Sequence, residues 1–171
     1  MAKAKKRYSP EALEKAGFTS FIVEGYSEGE WFLRKVLRYT ALDGQVYDVP
    51  EFFVTDLSSI PTLALWMYSS YDTRPEGAVH DFLYAIQFPK DRADALYKEM
   101  SLRLGANTIQ ATLAHAALRV GGGKAYNACS AGLLFKVDFA VDFMLPSDYQ
   151  PIRQLVKAFQ ARHGVGKAFE V

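Results

Sequence analysis

The apolar residues of this chain change period at one point, and that change most constrains what it can fold into. From Phe18 to Val54 the sequence is rich in Phe, Tyr, Trp, Val and Ile and is broken by Gly25, Gly29, Asp43-Gly44 and Pro50, the pattern of short antiparallel strands. After Pro61 the spacing turns helical, with Ala78, Val79, Phe82, Leu83 and Ile86, then Ala95, Leu96, Met100 and Leu104, then Ile109, Leu113, Ala116, Ala117 and Val120. Strands first and helices after predict an α+β fold, a small antiparallel sheet over residues 20–55 followed by three helices over 74–120, rather than an alternating doubly wound one.

Punctuation refines this outline. Ser9-Pro10 reads as a cap and first helical residue of a short lead-in helix that Gly17 stops. Strands are expected at 20–26, 30–42, 45–48 and 52–55, with Asp43-Gly44 as a hairpin turn. The three helices are expected at 74–87, 91–104 and 108–120, the last capped by Asn107 and stopped by Gly121-Gly122-Gly123. Residues 133–144 alternate in strand fashion, although Leu134, Val137, Val141 and Met144 also satisfy a helix. Ser147 with Gln150 marks the start of a final helix ending at Gly164. The organisation predicted is a basic tail and short helix over 1–17, one α+β domain over 18–124 and a strand and helix extension over 125–171.

Composition excludes several function classes. Half of the 171 residues are apolar, 23% are charged and the net charge is +1, so the chain is neither disordered nor a broad polyanion binder. Its one basic cluster, Lys3, Lys5, Lys6 and Arg7, reads as a solvated tail and is the one place where nucleic acid would be touched. A single cysteine, Cys129, excludes an internal disulfide and a cysteine-rich zinc site and fits a reducing compartment. With no continuous apolar run near the roughly 18 residues of a membrane helix, and no signal-peptide core at the start, a soluble protein is expected.

Two tracts place polar side chains among apolar neighbours: Thr55-Asp56-Leu57-Ser58-Ser59-Ile60-Pro61 and Val79-His80-Asp81-Phe82-Leu83-Tyr84. Asp56 at a strand end is either a turn cap or an acid-base group or ligand facing a cleft. His80 and Tyr84 share one helix face and Asp81 lies about 100° away. Asp56, His80 and Asp81 are thus the candidate catalytic residues, and with Asp94 they form a candidate divalent-metal set of one nitrogen and several oxygens. Ser59, Tyr84 and Arg92 support the set, with Arg92 and Lys90 as counter-charges; if Arg92 pairs with Asp56 or Asp81, the group is an ion-pair scaffold instead. His115 is the other histidine near the core, and His163 is expected as a solvated last-turn residue complementing the helix dipole. A serine triad lacks its Gly-x-Ser-x-Gly elbow, and Gly121-Gly122-Gly123-Lys124 lacks the Walker spacing of a phosphate loop.

Taken in order, Phe53 to Pro61, Val79 to Tyr84, Arg92-Ala93-Asp94 and Leu118-Arg119-Val120-Gly121 resemble the phage and prophage domain-of-unknown-function family 1353. Thr62 departs from the basic residue that often follows the proline there, and Ala125 to Val171 extend beyond the shared region. The resemblance implies a phage or prophage origin and a small single-domain protein whose role the family does not settle, and it brings no proven catalytic residues; synthesis in the host cytoplasm is expected, with the virion as a further location. Two readings follow. One is a virion or assembly component, its Asp/His cluster a structural polar network and its C-terminal extension docked on phage structural proteins. The other is a metal-dependent hydrolase, directed at the cell wall or another phage-relevant substrate, with a divalent ion on Asp56, His80 and Asp81. A host-takeover factor binding a bacterial protein is a third, weaker reading.

Overall fold

A computed structural model describes residues 8–57, 74–128 and 139–164. The fold is α+β, as the change of period requires: a set of short antiparallel strands precedes the helices. In chain order the elements are α1 (Pro10–Lys15), β1 (Val23–Ser27), β2 (Glu30–Leu33), β3 (Leu37–Thr40), β4 (Val46–Val49), β5 (Val54–Thr55), α2 (Pro75–Ala85), α3 (Lys90–Arg103), α4 (Thr108–Ala128), a 3-10 turn (Val141–Phe143) and α5 (Pro146–His163).

Helix α1 starts as its sequence dictates. The Ala12 amide donates to Ser9 Oγ at 3.2 Å, Pro10 takes the first helical position, and Gly17 leaves the helix at φ 89°. Gly17 is also fixed by space, because a Cβ there would lie 2.6 Å from the Thr40 carbonyl oxygen.

The strand expected over 30–42 is broken in two. β2 pairs with β1 and β5 in one sheet, and β3 pairs with β4 in another. A continuous strand would set Lys35 on the same face as Leu33 and Leu37, both fully buried. The break at Arg34 to Val36 leaves Lys35 in solvent while both leucines reach the core. Asp43-Gly44 does form the β3–β4 hairpin, with Gly44 at φ 80° and Asp43 Oδ1 accepting the Gln45 amide at 2.9 Å.

Helix α4 does not stop at Gly121. It runs through all three glycines to Ala128, and the middle one, Gly122, serves close packing there. A Cβ on Gly122 would lie 2.6 Å from the Tyr84 hydroxyl. Beyond the glycines, Tyr126 packs edge-on against Tyr84 at 5.1 Å and its carbonyl accepts from Gln87 Nε2 at 3.0 Å.

Of the stretch 133–144, residues 133–138 lie outside the described residues. Phe139 forms an isolated antiparallel bridge with Phe53, and residues 141–143 make a 3-10 turn. Helix α5 begins one residue before Ser147, with Asp148 accepting the Leu145 amide at 2.6 Å, and ends on left-handed Gly164 as expected. The segment expected as an extension feeds the common core: Ile152, Val156 and Phe159 are buried, and the Phe159 ring meets Tyr47, Phe82 and Phe88. Among the described residues no helix is long and apolar enough to cross a membrane.

Candidate functional site

Helix α2 lies at the centre, with every residue from Pro75 to Ala85 buried except Asp81. A helix buried nearly all round must satisfy each polar side chain it carries within the protein. His80 does so across to α3: its Nε2 lies 3.0 Å from Asp94 Oδ1, with 1% and 0% of the two side chains exposed. Tyr84, one turn along α2, donates to the same oxygen at 2.6 Å. Lys90 Nζ donates to Asp94 Oδ2 at 2.6 Å and to the Leu118 carbonyl of α4 at 2.9 Å. One carboxylate thereby links α2, α3 and α4.

The charges in this network are well defined. Burial pushes the Asp94 carboxyl up, but hydrogen bonds from His80, Lys90 and Tyr84 outweigh it and hold the group at about 2. Burial lowers the His80 pKa against the opposing pull of Asp94, so the imidazole is neutral and carries its proton on Nε2. Among the described residues its buried Nδ1 makes no hydrogen bond, and the ring is held between Tyr84 at 4.1 Å and Tyr97 at 5.4 Å.

Asp81 points elsewhere. Its Oδ2 accepts from the Thr55 hydroxyl, whose oxygen accepts the Leu57 amide at 3.0 Å. This relay seats the end of β5 on α2, where Leu57 is held at φ 57° and its carbonyl oxygen would lie 3.1 Å from a Cβ on Gly77. Leu57 is thus fitted against Gly77 of α2 backbone to backbone.

The predicted residues thus fall into two groups. The structure joins His80, Tyr84 and Asp94, and separately joins Asp81 to Thr55; Asp56 is exposed at the strand end. Ser59 lies outside the described residues. The counter-charge of Asp94 is Lys90, whereas Arg92 reaches Gln45 Oε1 at 3.3 Å and stacks over Phe88. Among the described residues no group of three or more His, Cys, Asp and Glu side chains is arranged to hold a metal ion. His115 is half-buried on α4, and burial with nearby Lys98 lowers its pKa. His163 is no solvated terminus: its ring stacks on Tyr47 at 4.9 Å and meets Phe159 at 4.4 Å, and Nε2 lies 3.3 Å from the Val46 carbonyl oxygen.

Sequence reasoning missed Glu76. In the first turn of a helix a glutamate reads as a dipole complement in solvent, yet this one is 1% exposed, with Oε2 making no hydrogen bond among the described residues. Burial raises its carboxyl to about 7, against the pull of its own backbone amide and of Arg74. The signal that bears on it is the short apolar run Gly77-Ala78-Val79 that follows, which turns the start of the helix to the interior.

Comparison with known proteins returns one finding. A family model described as "Protein of unknown function (DUF1353)" matches residues 31–118, from β2 through the Leu118 carbonyl that Lys90 grips. No curated protein and no solved structure matches the chain.

Proposed function

This chain belongs to the DUF1353 family of proteins of unknown function, and from that premise we propose that it is a phage virion or assembly component whose Asp/His cluster is architecture. The observation that carries the reading is Asp94: it is fully buried, and its two oxygens accept from His80, Tyr84 and Lys90. A carboxylate so occupied, paired with a neutral histidine on a buried helix, makes a cross-link between helices and a poor base or metal ligand. The ordered motifs resembling phage and prophage proteins support the setting. A docking role is supported by α4, where Ile109, Leu113 and Val120 share one helix face and stand 73%, 49% and 90% exposed.

The test is made in lysates of the encoding phage. The protein is expected in purified particles or in assembly intermediates, and Ile109→Asp with Val120→Asp is expected to release it while leaving its melting temperature unchanged. A monomer absent from both fractions sinks the reading. The hydrolase alternative requires Asp81 to give up Thr55 so that it can join Asp56 and His80 around an ion. It predicts that Asp56→Ala abolishes a metal-dependent cleavage without affecting stability.

A further inference from the structure

A cavity of about 680 Å³ opens on the far side of the β3–β4 hairpin, lined by Arg38, Gly44, Gln45, Val46, Arg92, Arg162 and His163. None of the network residues described above contributes to it. Three elements bring cations to one space: the hairpin supplies Arg38, the first turn of α3 supplies Arg92, and the last turn of α5 supplies Arg162 and His163.

The cations are not equivalent. Arg38 is answered by Asp48, with Nε at 2.7 Å and Nη2 at 3.1 Å from its two carboxylate oxygens. Among the described residues Arg92 and Arg162 have no ion pair and touch neutral oxygens at long range, Gln45 Oε1 at 3.3 Å and the Val46 carbonyl at 3.4 Å. Arg92 also sits in the first turn of its helix, where the macrodipole disfavours a cation. Two further acids stand near the hairpin: Asp43 accepts the Gln45 amide, and Glu99 accepts the Leu42 amide and the Tyr39 hydroxyl. Both unmatched guanidinium groups act on the imidazole beside them: burial lowers the His163 pKa, the Val46 carbonyl and Asp43 oppose it, and Arg162 and Arg92 lower it further.

The donors stand on a rigid floor. Arg92 stacks over Phe88 at 5.3 Å, and the His163 ring lies nearly parallel to buried Tyr47, at 13°. We propose that this cavity is a binding site for a small phosphomonoester, its phosphate seated between Arg92 and Arg162 with Arg38 and His163 at the margins. A dianion matches the two unmatched cations in number. A phosphate offers oxygens to two guanidinium forks at once, whereas a carboxylate fills one. The volume exceeds what an inorganic ion fills and falls in the range of small-molecule pockets, so the phosphate arrives on an organic body.

Titration calorimetry of the full chain with glucose phosphate, adenosine monophosphate, inorganic phosphate, acetate and a single-stranded oligonucleotide tests this. At least one of the two phosphomonoesters is expected to bind more tightly than inorganic phosphate, and acetate is expected not to bind. Arg92→Gln and Arg162→Gln should each weaken that ester by about tenfold, the effect of losing one charge-assisted contact. Lys35→Gln, an exposed charge outside the cavity, should leave it unchanged. Both arginine side chains are exposed, so the variants are expected to melt with the parent. The proposal is overturned if neither ester binds, if only the oligonucleotide binds, or if either arginine variant binds as the parent does.

Discussion

At the scale of single residues, two buried carboxyls set opposing responses to pH. Asp94 has its folded pKa pulled down to about 2 from an ordinary 3.8, so the stability it contributes is present above pH 4 and is lost as the pH falls toward 2. The shift corresponds to about 2 kcal/mol. Glu76 runs the other way. Its folded pKa is raised to about 7 from 4.5, so its contribution is complete below pH 4.5 and declines as the pH rises to 7, by about 3 kcal/mol. Urea denaturation across pH should therefore show Glu76→Gln gaining stability on the parent above pH 5 and matching it near pH 4. A constant difference at every pH would refute the burial of an ionisable Glu76. Asp94→Asn leaves Lys90 and the α2 donors facing a neutral amide and is expected to cost about 3 kcal/mol in the same measurement at pH 7. Of these two residues Asp94 was legible as a candidate ligand one helix beyond His80, with Lys90 and Arg92 as its counter-charges. Glu76 was not, because its burial is decided by what packs around the first turn of α2.

Among elements, the triglycine of α4 shows where local propensity loses to packing. Three consecutive glycines predict a stop because each weakens a helix relative to alanine. The helix continues because Gly122 lets the Tyr84 hydroxyl approach, and because Tyr126 is anchored beyond it. Neighbouring glycines should then respond in opposite directions. Gly123→Ala meets nothing within 4 Å and is expected to stabilise by about 0.5 to 1 kcal/mol. Gly122→Ala drives a methyl group into Tyr84 and is expected to destabilise by about 1 to 3 kcal/mol, which chemical denaturation resolves. If both alanines stabilise, the close approach of α4 to α2 is refuted. The split of β2 from β3 is a related case: alternation was readable along the run, but the burial of both Leu33 and Leu37 across exposed Lys35 required a break that periodicity does not mark.

For the whole molecule, order of elements was the legible part. Strands followed by helices, the hairpin at Asp43-Gly44, the cap at Ser9 and the helix end at Gly164 all follow from residues close in sequence. The cavity was not legible, because Arg38, Arg92 and Arg162 are far apart along the chain and meet through tertiary folding. The role of the C-terminal segment depends on equally distant partners, Phe139 on Phe53 and Phe159 on Tyr47 and Phe82. A chain truncated after Ala128 is accordingly expected to lose cooperative melting and to bind a hydrophobic dye, since Phe53, Phe82 and Phe88 are left uncovered. A sharp melt in the truncated chain would refute this.

The bridge between Phe53 and Phe139 also bears on how the molecule is made. Synthesis is vectorial, and the sheet edge at Phe53 leaves the ribosome long before its partner exists. Through that interval the strand presents unpaired backbone and an uncovered phenyl ring, so the nascent chain depends on whatever shields that edge until the last quarter of the protein emerges.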